Sequence, residues 1–300
     1  MKLETSVLFK KNLAHKENIR QLTAGELKRV QEILFGILCA VDEVCKKKDI
    51  PYCLCGGSAL GAVRHRDFIP WDDDLDIYIL RNDMGKFIEV FEESYGTIYT
   101  VSSPGYRNLF NSPSSRICKK GTLFRSYANL GEESPGIGCD ICILENTYNS
   151  RLMRFIHGLG AVSCGFLVSC RRFRRDKEIL LRYAEGDREL EKSIIVKAII
   201  GRFVSTWSYS QIVKFQYIWN SQCKKQNSKY VVCINGRKHF FGEIYDREDM
   251  LSPEMYEFHG RLFAVMGKTD AYLRHLYGDY MKIPKEEERE NLAVFEFEIL

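Results

Sequence analysis

Apolar residues recur three and four positions apart at Leu27, Val30, Leu34, Ile37, Leu38 and Val41, which is the spacing of a helix with one buried face. Thr23-Ala24-Gly25-Glu26 just before them forms a capping box, and Asp49-Ile50-Pro51 stops the helix near Lys48. A short strand is predicted over 52–55, followed by the Gly56-Gly57 turn and a short helix to about Arg64, for which Ser58 can serve as the cap. Over 74–80, acidic or polar residues alternate with Leu75, Ile77 and Ile79, a strand signature. Asn82 or Asp83 caps a further helix to about Tyr95, and strands are expected over 98–101, 115–119 and 138–144. The first half therefore reads as α+β, with helices around a mixed sheet.

From 149 to 226 the pattern is mainly helical, with Trp207, Tyr209, Tyr217 and Trp219 near its end. Short strands are predicted over 230–234, 240–245 and 256–265, then a helix over 270–277, and the charge run 285–290 reads as solvated surface. The chain shows no internal repeat and no low-complexity linker. Two lobes are expected, with a soft boundary near residue 148.

Composition narrows the class. With 45% hydrophobic and 28% charged residues the chain can bury a core, which excludes a disordered tail or a coiled coil. A net charge of +4 is too mild to indicate nucleic acid, and suits a local positive patch for an anionic small molecule. The 11 cysteines are odd in number and scattered through apolar stretches. The polar, basic segment 1–20 holds no apolar core of signal-peptide length, so a cytoplasmic protein with reduced, buried thiols is expected. Cys53 and Cys55 with Cys139 and Cys142 could form a four-thiolate zinc site, but the second pair lacks a knuckle glycine, and core packing is the preferred reading. Segment 155–170 is apolar and flanked by Arg151, Arg154, Arg171, Arg172, Arg174 and Arg175. It reads either as a buried helical hairpin or as a contact with an anionic membrane surface.

The chemistry concentrates between Gly56 and Ile77. Two glycines after a strand let backbone approach a ligand, and the helix N-terminus behind them suits a phosphate. Ser58 adds a hydroxyl. Asp74 and Asp76 lie two apart on a predicted strand and so share a face, where two carboxylates repel unless a cation sits between them. Asp140, in the apolar stretch Gly138-Cys139-Asp140-Ile141-Cys142-Ile143, is the candidate third acid. An unpaired carboxylate there would be costly, so it needs a compensating partner. The preferred one is a metal shared with Asp74 and Asp76, and the alternative is a salt bridge to Arg116 or Lys119. Asp72 and Asp73 read equally well as a solvated turn. Arg64 is a candidate phosphate or loop-anchoring contact, and His65 reads as structural. The four rings between Trp207 and Trp219 read mainly as core, with a cage for a quaternary ammonium as the alternative.

The run Gly-Gly-Ser-Ala-Leu-Gly-Ala-Val-Arg-His at 56–65, with Phe-Ile-Pro-Trp-Asp-Asp-Asp-Leu-Asp-Ile at 68–77, closely resembles the LicD family of nucleotidyltransferase-fold phosphotransferases, which includes phosphocholine transferases and fukutin-related proteins. The stretches 115–122, 136–141 and 272–284 resemble later parts of that family. The resemblance implies a nucleotidyltransferase-like catalytic core over 1–148, and a largely helical lobe over 149–300 whose C-terminal strands and helix complete the site. It further implies a Mg²⁺ (or Mn²⁺) ion on Asp74, Asp76 and Asp140, and donor contacts from Gly56, Gly57, Ser58, Arg64, Arg116 and Lys119. The implied donor is CDP-linked, such as CDP-choline or a CDP-alditol. The implied acceptor is a hydroxyl of a glycan or of its lipid-linked precursor, with 155–175 as a possible peripheral contact on the inner membrane face.

Overall fold

The computed structural model describes residues 21–126, 136–286, 289 and 294–299; the basic segment 1–20 and residues 287, 288 and 290 of the charge run lie outside the described residues. Helix α1, Ala24–Lys48, carries the expected capping box and buries Val30, Leu34, Ile37, Leu38 and Val41. It ends where Asp49 turns left-handed at φ 56°. Strand β1 (Tyr52–Leu54) leads into α2 (Gly56–His65), followed by β2 (Asp76–Leu80), α3 (Met84–Tyr95), β3 (Tyr99–Ser102), β4 (Ser115–Lys119), β5 (Thr122–Ser126) and β6 (Gly138–Asn146). A run of helices follows: α4 (Arg151–Arg175), α5 (Lys177–Ala184), α6 (Arg188–Phe203) and α7 (Tyr209–Asn220). The chain then returns through β7 (Tyr230–Cys233), α8 (His239–Gly242), β8 (Ile244–Asp246), α9 (Arg247–Leu251), β9 (Glu254–Phe258), β10 (Arg261–Val265), α10 (Thr269–Tyr277) and β11 (Val294–Ile299).

The architecture is α+β, with a mixed sheet flanked by helices and a largely helical lobe. The main sheet runs β3-β4-β6-β2-β1-β10-β9, with β7 and β8 added to it through the end of β6. Pairing is parallel between β2 and β6 and between β1 and β10, and antiparallel elsewhere. Strand β6 is the hinge of the arrangement. One edge pairs along its length with β2, while the other pairs first with β4 and then with β7. The largest core joins α1 to β1, β2, β6 and β10, whereas the helical lobe packs around smaller clusters of its own.

Several elements differ from the sequence reading, which expected neither β5, β11 nor α9. Segment 155–170 is part of one continuous 25-residue helix, not a hairpin. Its glycines serve packing: a Cβ on Gly158 would meet the Phe241 ring at 2.5 Å, and one on Gly160 would meet Trp219 at 2.0 Å. The strand expected over 240–245 begins only at Ile244, because Phe240 belongs to the short helix α8. The strand expected over 256–265 is a hairpin, turned at His259 and Gly260, both with positive φ.

Candidate active site

The site begins at the turn between β1 and α2. Cys55 is the N-cap of α2, and Gly56 behind it has φ +53°, a conformation glycine adopts without steric cost. The Gly56 N–H donates to the Tyr272 hydroxyl at 2.9 Å. The neighbouring glycines answer to crowding. A Cβ on Gly57 would lie 3.0 Å from an Asp72 carboxylate oxygen, and one on Gly61 would lie 2.6 Å from the Asp67 carbonyl. The acidic loop 67–74 is thereby pressed onto the first turns of α2. Ser58 does not cap the helix as the sequence suggests, since the cap position falls three residues earlier. Its buried hydroxyl accepts the Asp76 backbone N–H at 2.8 Å and pins the start of β2.

Asp76 opens β2, and Asp140 is its register partner across the parallel β2–β6 pair. The two carboxylates therefore leave the same sheet face on neighbouring strands. Asp74 lies just before β2, not within it, and lines the same cavity with Asp72 and Asp73. Burial pushes the Asp76 carboxyl well above the usual carboxylate range, and the nearby Cys142, Asp74, Asp140 and Asp72 push in the same direction. Asp140 is also the register partner of Arg116 on β4, whose Nε lies 3.5 Å from its carboxylate. The salt-bridge alternative for Asp140 thus coexists with its place beside Asp76. Among the described residues, no three His, Cys, Asp or Glu side chains are grouped so as to hold a metal as they stand. The donor chemistry nevertheless fits a hard divalent cation, because the desolvated Asp76 carboxyl is crowded by Asp74, Asp140 and Asp72. Such an ion would compete with Arg116 for Asp140.

These acids line a cavity of about 550 Å³, a size suited to a nucleotide-like ligand. Arg64 reaches it and donates to the carbonyls of Tyr280, at 2.8 Å, and Lys282, at 3.4 Å, so it anchors the segment after α10 to α2. His65 accepts from Arg64 Nε at 2.9 Å, and burial holds its imidazole below the ordinary histidine range. Lys119 is not brought to the cavity; its ammonium lies 5.3 Å from the centre of the Tyr99 ring. Arg116 reaches the site only through Asp140.

Tyr272 and Tyr277 fall in the family-like stretch 272–284, whereas the other residues of this wall, Arg237 and Glu243 among them, gave no sequence signal. Arg237 sits over the Tyr277 ring, 5.2 Å from its centre, and both line the cavity. The loop carrying Arg237 is held by buried Glu243, which accepts the Lys238 N–H at 2.7 Å, the Tyr78 hydroxyl at 3.1 Å and the Tyr245 hydroxyl at 3.2 Å. Gly236 must be glycine for this closure, because a Cβ there would sit 2.3 Å from the Glu243 carboxylate. Tyr272, which receives Gly56 N–H, also lies 3.5 Å from the Tyr78 hydroxyl. A continuous polar chain thus connects the glycine turn to the Arg237 loop. Arg81 and Glu145, another buried pair, line the far side and are joined by a two-point contact that includes Nε–Oε2 at 2.7 Å. A glycine two residues after an apolar strand, Cys233-Ile234-Asn235-Gly236, was the one available pointer to this loop.

The cysteines divide among different neighbours. Cys53 buries its thiol 3.2 Å from the Met250 sulfur, while Cys55, Cys142 and Cys233 meet beneath the acids. Burial pushes the Cys53, Cys55 and Cys139 thiols up, which keeps them neutral. The four rings between 207 and 219 do not form a cage. Tyr217 carries the Arg81 guanidinium at 4.8 Å and packs on Phe110, Tyr209 lies under Arg175 at 5.1 Å, and Trp207 and Trp219 flank Phe215.

The geometry agrees with what this chain resembles among known proteins. The family described as LicD/FKTN/FKRP, nucleotidyltransferase domain, matches residues 49–118, from the end of α1 to β4. A lipopolysaccharide cholinephosphotransferase LicD from Haemophilus influenzae is 25% identical over 279 residues, covering 91% of this chain and 98% of its own. The human ribitol 5-phosphate transferase FKRP is 50% identical over 43 residues, 14% of this chain and 9% of its own. An uncharacterized protein of Rickettsia prowazekii is 37% identical over 90 residues, 30% of this chain and 31% of its own. A match spanning nearly the whole of one relative, and a family match centred on the glycine turn and its acids, support a LicD-type nucleotidyltransferase-fold assignment for this chain.

Proposed function

We propose that this protein transfers a phosphorylated head group, phosphocholine or an alditol phosphate, from a CDP-linked donor to a hydroxyl of a cell-surface glycan or its lipid-linked precursor. The observation that carries the reading is the register pairing of Asp76 with Asp140 opposite the Gly56-Gly57 turn, inside a cavity of nucleotide size. The relatives support the class of reaction: one is named a cholinephosphotransferase and another a ribitol 5-phosphate transferase. Both names describe the movement of a phosphate that bears a small alcohol.

Asp74, Asp76 and Asp140 are the residues that would hold a Mg²⁺ or Mn²⁺ ion. When bound, the ion supplies neutralisation of the donor's diphosphate and of the charge that builds on departing CMP. In this reading the Gly57 backbone, at the first turn of α2, lies against the phosphate that stays with cytidine. Arg64, two turns further along α2 and tethered to the Tyr280 carbonyl, and Arg237, seated on Tyr277, supply positive charge to the cavity. The acceptor oxygen attacks the phosphorus bearing the head group, a new P–O bond forms, and the bond to the CMP oxygen breaks. The acceptor proton passes to an Asp140 carboxylate oxygen, beside which Arg116 Nε lies at 3.5 Å.

Incubation with a panel of CDP-linked compounds, an acceptor glycan and Mg²⁺ tests this. Release of CMP together with a phosphodiester product is expected. Pyrophosphate from a nucleoside triphosphate would instead mean nucleotidyl transfer, and no turnover with bound donor would mean a binding scaffold. Asp74→Asn should lower turnover on the order of 10³-fold, equivalent to about 4 kcal/mol of barrier. A folded variant within a few-fold of the parent would contradict the assignment.

A further inference from the structure

The first half of helix α4 buries one side and exposes an apolar face on the other, while Cys170 and Phe173 in its second half are buried. Facing inward, His157, Ala161, Cys164 and Val168 are buried, and His157 is hydrogen-bonded between Thr147 Oγ1 and the Asn220 carbonyl, each at 3.2 Å. Facing outward at helical spacing, Leu152, Phe155, Ile156, Leu159 and Val162 are 44–68% exposed. Neighbouring elements extend this surface. Phe241 packs on Phe155 with ring centres 5.7 Å apart, and Trp207, Phe215 and Trp219 form a chain of rings beside Gly160. An exposed apolar face of this extent needs a partner.

Charge identifies the partner. The 25 residues of α4 hold six arginines, grouped at its two ends, and no acid. Arg154, Arg171 and Arg175 are engaged by the Tyr148 and Asn149 carbonyls, the Gly201 carbonyl and the Asp176 carboxylate, whereas Arg151 and Arg174 are exposed at the two ends. Exposed apolar side chains with an exposed arginine at each end match a lipid surface with anionic head groups, in which the chains enter the acyl boundary and the guanidiniums stay among phosphates. By length and composition α4 could also cross a membrane. Its inner face, however, is already packed against α6 and α7, and the bonds of His157 would be lost by extraction. From this arrangement we infer that α4 lies in the plane of an anionic lipid surface, with the tips of α7 and α8 beside it. Helix α7 joins this face to the active site: Gln216, Tyr217 and Asn220 line the cavity while Phe215 and Ile218 are exposed on the outer side. A protein seated this way presents its cavity next to the layer that carries a lipid-linked acceptor. That purpose rests on the proposed reaction, whereas the contact itself does not.

Sedimentation of the full chain with vesicles, without donor or acceptor, tests the contact apart from the chemistry. Binding is expected to vesicles of phosphatidylcholine with phosphatidylglycerol, and to be weak with phosphatidylcholine alone. Phe155→Glu with Leu159→Glu should weaken it about 100-fold or more. Arg151→Ala and Arg174→Ala should each cost about 5-fold on the anionic vesicles only. Lipids with brominated tails should quench tryptophan emission of the unmodified protein, a readout that needs no variant. Absence of both sedimentation and quenching overturns the inference. So does a stable dimer that Phe155→Glu with Leu159→Glu converts to monomer, because the face would then belong to a second copy.

Discussion

Asp76→Asn should abolish activity and yet stabilise the metal-free protein. The Asp76 carboxylate stands beside Asp140 on the adjacent strand, with Asp74 and Asp72 nearby. Paired residues on neighbouring strands carry side chains about 5 Å apart, and two unit charges at that distance repel by about 3 kcal/mol at an effective dielectric of about 20. Arg116 already offsets part of the charge on Asp140, which leaves about 1–2 kcal/mol for the variant to recover. In a chain of 300 residues that is a rise of about 2–3 °C in melting temperature. The effect has a defined pH dependence. Burial and neighbouring acids raise the folded-state pKa of Asp76 above its ordinary value of 3.8. The parent therefore has its full stability contribution from this group below that value, and loses it as pH rises through the elevated one. Asn does not titrate, so parent and variant should melt together near pH 4 and diverge as pH increases. Mg²⁺ should reverse the order by stabilising the parent about 2.7 kcal/mol at a hundred times its Kd, with no gain for Asp76→Asn. Differential scanning calorimetry across pH, with EDTA and with Mg²⁺, reads all three effects. A variant less stable than the parent in EDTA at every pH, or equally stabilised by Mg²⁺, would refute the reasoning.

Three further substitutions, at two positions, test other parts of the site. Gly61→Ala puts a methyl 2.6 Å from the Asp67 carbonyl, so the acidic loop must shift; a loss of about 1–3 kcal/mol in thermal unfolding is expected, with a fall in turnover, and an unchanged melting curve would contradict the close approach. Glu243→Ala leaves the Tyr78 and Tyr245 hydroxyls and the Lys238 N–H without their shared acceptor; about 3–5 kcal/mol of stability should be lost, and Glu243→Gln should keep the fold while raising KM for the donor through a looser Arg237 loop.

The parts of this protein legible in its sequence are those whose signals are local. A capping box and an apolar stripe specify α1 within a few residues, because helix energetics are set by neighbours three and four positions away. The glycine turn and its acids were legible for the same reason: 56 to 76 is one continuous stretch in which backbone crowding selects the glycines and charge selects the strand face. Local signals misled where one residue type serves two purposes. Gly158 and Gly160 look like a turn, but they are flat spots on a continuous helix where Phe241 and Trp219 press in. Ser58 has the chemistry of a cap, but it is used for a strand 18 residues away.

The opposite wall of the cavity was not legible, because its residues meet only through the fold. Glu243 is 165 positions from Tyr78, and Tyr272 is 216 from Gly56. Nothing in the immediate surroundings of Glu243 or Tyr78 distinguishes a buried, bonded polar group from an exposed one, and the stretch 272–284 that holds Tyr272 resembles the family without revealing its contact with Gly56. The need for such a network follows from the topology. Strand β6 is shared by β4 and β7 along one edge, so the end of β7 must turn away over the acids, and the loop after it enters the cavity. That loop brings Arg237 and needs a fixed anchor, which Glu243 provides from the strand paired to β7. A carboxylate in so buried a place is tolerated because three donors converge on it. Glu243, an acid that its sequence surroundings do not single out, is therefore the one whose removal should most disturb the wall facing Asp76 and Asp140.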